Sequence, residues 1–423
     1  RDLRLMIAKR LSLIAVIFLF VLAAFGIGMW TTYKSWYPWT VMDEARSAIR
    51  SWRATGVWGL PQDSYVRRRP EQADAVFAVH DPARAAPGHW VINRYDGHAR
   101  RYMLDLYDAA GTLLHSRPID YSKIRPGGSP EEFAHITTML PDGSVLVVWD
   151  DAPGMARLDA CGDPIWARTD QIYHHSIERG VDGFWTWQSA IWDGGEDQRM
   201  IRFDPETGEI LESLDLIDDV IATSPENRLA MVVPEAFKFD RTTKFGDRAD
   251  IFHPNDLEEL LPEMAAAFPQ FEAGDLLISN RDIDQLAVIG RKTGAVKWAA
   301  YGPWYHQHDA DFQPDGTITV FSNNTDRFRS AILQVDPKTG AVRDLFGGTG
   351  LRFDSFIMGK HQRLANGNWM ITSAMQGWVV EVTPEGEIVS EFNNLLNESY
   401  NTIAPYAEHL APGYLTTVPV CSK

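Results

Sequence analysis

The sequence predicts an all-β protein, a six-bladed β-propeller preceded by one N-terminal transmembrane helix. Three observations predict it: a turn phrase that recurs six times, a histidine phrase that recurs at a fixed place in the repeat, and one long apolar run near the N-terminus. A recurring unit of strands and turns about 46 residues long is typical of propellers. Such a fold brings one inner strand from each repeat to a shared central channel.

The turn phrase joins two apolar strands and ends in glycine. Successive glycines are 51, 46, 86, 46 and 46 residues apart, which predicts one blade for each phrase. The long interval predicts an insertion at about 218–273, within which residues 255–268 have helical spacing. The six phrases are Asp108–Gly111, Asp159–Gly162, Asp204–Gly208, Arg291–Gly294, Asp336–Gly340 and Thr383–Gly386.

The histidine phrase places a histidine before a glycine turn and a strand. Six of the twelve histidines occupy this position, and equivalent positions of a propeller converge on the channel. Each histidine alone could equally be a turn or core residue. No metal site is predicted, because blades spread equivalent residues around the ring. The six are His135, His175, His253, His308, His361 and His409.

Three segments organise the chain. Residues 1–40 are predicted to be the membrane anchor with an interfacial belt, residues 41–87 a helical and loop lead-in, and residues 88–423 the propeller. The C-terminal strand at 413–419 is predicted to complete the blade that contains residues 102–108. Closure by both ends of the chain would leave no open sheet edge.

The N-terminus carries a run of 20 residues without charge, at 11–30, which is enough to cross a bilayer. Four basic residues precede the run. The positive-inside rule therefore predicts a single-pass protein of the bacterial inner membrane, with a cytoplasmic N-terminus, lipid contact at 11–30 and a periplasmic propeller. A cleaved signal peptide is the alternative.

The composition and the cysteine count limit the kinds of ligand and cofactor that the protein is expected to bind. The formal net charge of −17 argues against non-specific nucleic-acid binding. No Gly-rich phosphate loop is present, so no cofactor is predicted. The two cysteines, Cys161 and Cys421, are 260 residues apart. A closed ring could bring them together in an oxidising compartment, and two unpaired buried thiols are the alternative.

Two segments, 279–324 and 362–389, resemble the blades of bacterial arylsulfate sulfotransferases, and the resemblance extends over about 100–415. It implies a six-bladed periplasmic propeller that moves a sulfuryl group between phenols through a sulfated histidine, without a nucleotide cofactor. It also implies that His253 and His308 are channel histidines and that Arg329 binds sulfate.

One departure from that family affects the predicted function. The resemblance places the nucleophilic histidine near Gln376–Trp378, where no histidine stands, so His361 or another histidine of the ring is the candidate replacement. Two hypotheses follow. The chain is a non-catalytic propeller, or one with a diverged channel site, that serves as a partner in an envelope complex. Alternatively, it is an arylsulfotransferase that uses the channel histidines and Arg329 on a small aryl or anionic ligand.

Overall fold

The computed structural model describes residues 2–33, 66–68, 75–150, 152–189, 198–231, 252–326, 329–347 and 350–421. The chain divides into two compact units, Arg1–Ser64 and Tyr65–Lys423. The described part of the first unit is helix α1 (Asp2–Tyr33). Among the described residues, no helix is both long enough and apolar enough to span a bilayer. The anchor predicted at 11–30 stays a prediction, and the helix predicted after residue 41 lies outside the described residues.

The described residues of the second unit form six antiparallel blades, which confirms the predicted propeller. Two short strands, β1 (Val66–Arg68) and β2 (Phe77–Val79), precede them. The strands of the first three blades are β3 (His89–Asp96), β4 (Arg101–Asp108), β5 (Leu113–Ile119), β6 (Ala134–Met139), β7 (Val145–Trp149), β8 (Met155–Leu158), β9 (Pro164–Arg168), β10 (Ile172–Gly180), β11 (Gly183–Ser189), β12 (Arg199–Phe203) and β13 (Ile210–Asp215).

The remaining three blades follow the same antiparallel order, and two short helices, α2 (Pro225–Ala230) and α3 (Pro262–Ala265), lie outside the sheets. The remaining strands are β14 (Pro254–Glu259), β15 (Leu276–Asn280), β16 (Gln285–Ile289), β17 (Val296–Tyr301), β18 (His308–Phe312), β19 (Ile318–Asp326), β20 (Arg329–Val335), β21 (Val342–Phe346), β22 (Lys360–Arg363), β23 (Trp369–Ser373), β24 (Trp378–Val382), β25 (Ile388–Asn393), β26 (Tyr400–Thr402) and β27 (Tyr406–Leu410).

The six turn phrases connect the third and fourth strands of the blades. All six glycines have φ between 65° and 84°, a region that glycine adopts without a steric penalty. In the first turn, the Asp108 carboxylate accepts hydrogen bonds from the N–H groups of Ala110 and Thr112, 3.0 and 2.8 Å away. Such an Asx turn fixes the reversal locally, which is why the phrase predicts blades so well.

The hydrophobic core lies between neighbouring blades. Leu277 and Val288 of blade four pack with Val320 and Leu333 of blade five, and Phe268 after α3 joins the same cluster. Full burial of each such side chain contributes roughly 1.5–3 kcal/mol. Because each blade shares its faces with two neighbours, the blades stabilise one another around the ring.

Both ends of the chain close the ring, but by different strands from those predicted. Strand β27 pairs with β3, with Tyr406 opposite Asn93, and is the inner strand of blade one. Strand β2 adds a fifth, outer strand to blade six by pairing with β25. The strand predicted at 413–419 is absent from the described C-terminal residues, where Pro412 and Pro419 cannot donate ladder hydrogen bonds. The closing strand lies earlier, at β27.

The helix predicted over residues 255–268 is also wrong. Residues Pro254–Glu259 form β14, the inner strand of blade four, and only Pro262–Ala265 are helical. The strand is favoured because the carboxylates of Asp256 and Glu258 accept hydrogen bonds from backbone N–H groups of β18. These long-range contacts outweigh the local helix propensity.

A disulfide links Cys161, in the turn after β8, to Cys421 in the C-terminal tail. The tail after β27 crosses from blade one to blade two, where the N–H of Thr416 donates to the carbonyl of Pro141, 2.8 Å away. The disulfide therefore fastens the last residues of the chain to a neighbouring blade, and the alternative of two free thiols is excluded.

We expect Cys161→Ser and Cys421→Ser each to lower the free energy of unfolding by about 2–4 kcal/mol, because the bond restricts the unfolded chain. The free energy of unfolding of the double variant should fall by no more than that of either single variant, since both cysteines belong to one disulfide. Chemical denaturation in non-reducing buffer measures the loss, and reductant should bring the wild type to the level of the variants. Additive losses in the double variant would contradict the pairing.

Candidate functional site

The inner strands of all six blades begin at one end of the channel and enclose a small polar cavity. Its volume is about 20 Å³, which is room for about one water molecule or ion. Blade one contributes Tyr406, the first residue of β27, together with Pro405 before it. The lining residues are His135, Ile136, His175, Glu178, Asn255, Asp256, His308, Asp309, Gly359, Lys360, Pro405 and Tyr406.

The inner strands are irregular at the cavity. The register of β6, β10, β14 and β18 shifts within their first residues, at a β-bulge in each. Three non-glycine residues there have a left-handed backbone: His175 at φ 64°, His253 at 45° and Asp309 at 52°. Such conformations cost roughly 1–3 kcal/mol each and concentrate at functional sites. Bulges re-aim side chains, and here they turn polar groups toward the channel.

Four histidines from four successive blades meet at this end, and we call them the channel histidines: His135, His175, His253 and His308. The ring centroids of His135 and His175 are 5.4 Å apart, and those of His175 and His253 are 4.8 Å apart. The Nε2 atoms of His175 and His253 are 3.1 Å apart. The fold thus brings together side chains that are up to 173 positions apart in the sequence.

Hydrogen-bond partners orient two of these rings. Asp150, which follows β7, has a carboxylate oxygen 2.5 Å from Nδ1 of His135 and 3.4 Å from Nδ1 of His175. His308 Nδ1 lies 2.7 Å from the side-chain oxygen of Asn323, whose amide nitrogen donates to two backbone carbonyls. His308 therefore carries its proton on Nδ1, and its Nε2 accepts the N–H of Met358 at 3.3 Å.

Two of the channel histidines are neutral at neutral pH. Burial lowers the pKa of His175 well below its ordinary value, and repulsion by the neighbouring histidines lowers it further. Burial also lowers the pKa of His308 well below its usual range, with Arg281 adding repulsion. Neutral imidazoles can offer lone pairs, but they supply no positive charge to hold an anion.

A buried ion-pair network lies beside the histidines. The ammonium of Lys360 is 2.6 Å from a carboxylate oxygen of Asp309 and 2.7 Å from one of Glu178. The other oxygen of Asp309 is 2.7 Å from Nδ1 of His361. Burial disfavours the charged form of the Asp309 carboxyl group, but the attraction of the Lys360 ammonium is stronger and lowers the pKa of Asp309 to about 2. The same carboxylates overcome burial and raise the pKa of Lys360 well above its usual value.

Further carboxyl groups tie one inner strand to the next. Asp256 and Glu258 of blade four accept the N–H groups of Ala310 and Phe312 of blade five, at 2.9 and 2.6 Å. Burial raises the pKa values of Asp256 and Glu258 well above the ordinary range. Glu408 of β27 accepts the N–H of Met139 at 2.7 Å, and burial raises its pKa to about 8. Glu408 is therefore mainly uncharged at neutral pH, and burial disfavours the charged forms of Asp256 and Glu258.

The family model for arylsulfotransferases (ASST) matches residues 137–394, which is more than half of the chain. The chain belongs to the arylsulfotransferase family. The resemblance predicted from the sequence is thereby confirmed at the level of family and propeller fold.

Solved structures are similar to the chain at low sequence identity and with TM-scores below 0.5. A Bacteroides caccae protein of unknown function is 11% identical, with a TM-score of 0.47 over 75% of this chain and 99% of its own. A streptogramin B lyase is 11% identical, with a TM-score of 0.42 over 77% and 90%. Virginiamycin B lyase from Staphylococcus aureus is 10% identical, with a TM-score of 0.37 over 63% and 72%. No curated protein sequence was found to match the chain.

In this arylsulfotransferase-family propeller, two of the four predicted site residues lie at the cavity and two lie away from it. His308 lines the cavity and His253 contacts the lining residue His175. His361 has a fully buried side chain that stacks on Trp369 and lies 2.7 Å from the Thr319 hydroxyl, so it packs between blades.

Arg329 and two further residues named from the sequence lie away from the cavity lining. Arg329 begins β20, the third strand of blade five. The imidazole of His409 lies against Gly88. The indole of Trp378 donates to Glu391 at 2.8 Å within the core of blade six.

Sequence reasoning missed the charged part of the site, namely Asp150, Glu178, Asp309 and Lys360. Three of them flank the repeated histidines, in the stretches HHSIE, HDAD and GKHQ. A charged residue beside the histidine in several repeats was the available signal. The bulges decide which of the two neighbours faces the channel, and no sequence pattern displays them.

The raised pKa of Glu408 predicts a specific pH effect on stability. Its folded-state pKa of about 8 exceeds the ordinary 4.5, so its stabilising contribution is full below about 4.5 and is lost as pH rises through 8. Glu408→Gln keeps an oxygen for the Met139 N–H but cannot ionise. We expect the variant to match the wild type at pH 5 and to exceed it by more than about 1 kcal/mol at pH 9.

Thermal unfolding at the two pH values measures this difference. Glu385→Gln, in an exposed turn, is the matched control and should show no pH-dependent gain over the wild type. Glu178 and Lys360 also act on Glu408, so the comparison uses the difference between variant and wild type rather than either curve alone. Parallel pH profiles for Glu408→Gln and the wild type would contradict the buried neutral carboxyl.

Proposed function

We propose that this arylsulfotransferase-family propeller has a diverged channel site that binds a small cationic ligand, and that it does not turn over aryl sulfates efficiently. The observation that carries the proposal is the double ion pair of Lys360. Its ammonium is the positive charge in the cavity lining, and Asp309 and Glu178 already compensate it, 2.6 and 2.7 Å away.

Sulfuryl transfer needs fixed positive charge or N–H donors around the developing oxyanion. The lining offers carboxylates and neutral imidazoles instead, and Arg329 is not part of it. A carboxylate placed near a sulfate would repel it at short range. The charge balance therefore favours a cation over the aryl or anionic ligand that the sequence alone suggested.

The size of the cavity supports the same conclusion. Pockets for drug-sized ligands usually enclose about 300–1,000 Å³. A cavity of about 20 Å³ holds an ion or a water molecule and is too small to enclose an aryl sulfate.

Sulfuryl transfer remains the second candidate, because one observation favours it. Asp150 and the His175–His253 pair form a carboxylate–imidazole–imidazole chain, which is an arrangement that activates a histidine nucleophile. On this reading His253 or His308 would accept the sulfuryl group. His361 would not, since its side chain is fully buried.

We further propose that residues 11–30 hold the propeller at the bacterial inner membrane, with the propeller in the periplasm. Support comes from the charge-free run, the four basic residues before it, and a disulfide that suits an oxidising compartment. A role as a partner of other membrane subunits is part of the same proposal and rests on this location.

For activity, we expect purified protein to release no nitrophenolate from 4-nitrophenyl sulfate, with phenol as acceptor, above the level of His253→Asn and His308→Asn variants. The reason is the lack of uncompensated positive charge in the cavity. Turnover at roughly 1–10³ per second, lost in these variants but kept in His98→Ala at an exposed turn, would establish the sulfotransferase instead.

For location, the full chain should remain in the membrane fraction after alkaline carbonate washing. Phe18→Arg places a charge at the centre of the run and costs about 2.5–3.5 kcal/mol on insertion scales, so it should move protein to the soluble fraction. Phe18→Leu is the matched control. Recovery of the unaltered full chain in the soluble fraction would refute the anchor.

A further inference from the structure

Two contacts at the channel histidines have the spacing of ligands to a metal ion, namely the His175–His253 pair and the group of His135, Asp150 and His175. The Nε2 atoms of His175 and His253 are 3.1 Å apart, and ligand atoms of His135, Asp150 and His175 lie within 4.8 Å of one another. Two nitrogens bound to one tetrahedral zinc, each about 2.0–2.1 Å from it, are separated by about 3.3 Å. The contact between the two imidazoles therefore matches the separation of nitrogens that share an ion.

The other ring nitrogens are already engaged on the protein side. Nδ1 of His135 is 2.5 Å from Asp150, and Nδ1 of His175 is 2.7 Å from Nδ1 of His174 and 3.4 Å from Asp150. An imidazole binds a metal through one nitrogen, so Nε2 is the atom that His135 and His175 would offer to an ion. On His175 the bound ion would replace the hydrogen bond that now joins its Nε2 to Nε2 of His253. A carboxylate behind a ligating histidine is the usual way in which proteins hold such a ring in place.

The backbone supports the same assignment. His175 and His253 have φ of 64° and 45°, although neither residue is glycine. Stacking of Phe133 on His135, with ring centroids 5.1 Å apart, holds the third ring. Strained backbone at two neighbouring histidines persists only where surrounding contacts enforce it, and here it keeps their imidazoles within contact of each other.

We propose that His135, His175 and His253 bind one divalent transition-metal ion through their Nε2 atoms, with Asp150 as the acceptor that positions His135 and His175. This inference rests on the proposed function, because it names the class of cation. Three imidazoles suit zinc, copper or nickel, and three protein ligands leave one position open toward the cavity.

The neighbouring carboxylates do not compete for the ion. Two other groups have ligand spacing: Glu178, Asp256 and Asp309, and Asp309, Asp311 and His361. Both include Asp309, and the ammonium of Lys360 lies 2.6 Å from Asp309 and 2.7 Å from Glu178. A cation is therefore already present at that position. The histidine cluster remains as the part of the channel that can take a metal.

The test uses the full chain, stripped with a chelator and titrated with Co²⁺ and Zn²⁺. We expect one ion per chain by elemental analysis, an intense visible absorption typical of four-coordinate Co²⁺, and a rise in the unfolding temperature with added Zn²⁺. No binding, two or more ions of similar affinity, or the weak spectrum of six-coordinate Co²⁺ would overturn the proposal.

The variants His175→Asn and His253→Asn keep a residue type that tolerates the left-handed backbone. Each should weaken binding at least about 100-fold and abolish the cobalt spectrum. Asp150→Asn should weaken binding by about 10–100-fold but keep one ion per chain, as expected of a positioning residue. His98→Ala is the control and should bind as the wild type does. Wild-type affinity in both histidine variants would overturn the assignment.

The unfolding temperatures of the metal-free variants and wild type are compared, and they show whether a variant binds poorly because it lacks a metal ligand or because it is unfolded. The sulfate assay separates this inference from the proposed function. If no aryl sulfate is turned over and no metal binds, only the metal site is wrong. If aryl sulfate is turned over, the proposed function is wrong, whatever the metal titration gives.

Discussion

The closed ring of inner strands is the constraint on which the rest of the molecule depends. Where inner strands face the channel, their backbone N–H groups need partners, because an unpaired buried donor costs about 1–3 kcal/mol. Side chains of the preceding blade supply them: Glu408 for Met139, Asp256 for Ala310 and Asp309 for His361. The chain ends complete this ring through β27 and β2.

The chemistry of the channel follows from the same arrangement. In this ring, buried carboxyl groups accept the backbone N–H groups of the inner strands, so acidic groups accumulate around the channel. Each buried carboxyl group is stable only when it is protonated or paired with a buried cation. Glu408 illustrates the first solution and Lys360 the second. The irregularities that interrupt the pairing of the inner strands also turn His175 and His253 toward one another. The residues that close the ring are therefore also residues of the polar channel site.

The sequence predicted the parts of the fold that are encoded locally. All six turns end in a glycine with positive φ, and four of them begin with an aspartate, as at Asp108, so the blade count could be predicted from six phrases. The predictions at 255–268 and 413–419 were wrong because strand identity there depends on partners more than 50 residues away. His308, which the sequence singled out, lines the cavity. Lys360 could not be recognised from the sequence, because its partners Glu178 and Asp309 come close to it only in the folded structure.

The central claim is that the channel accepts a cation at its histidines and leaves no free positive charge for sulfate. The most direct measurement is anomalous diffraction from crystals of the full chain, grown with Zn²⁺ or, separately, with excess 4-nitrophenyl sulfate. The account predicts one zinc peak within bonding distance of His135, His175 and His253, and no sulfate sulfur in the cavity. A sulfur peak beside Lys360 or His308, with no zinc at the histidines, would contradict it.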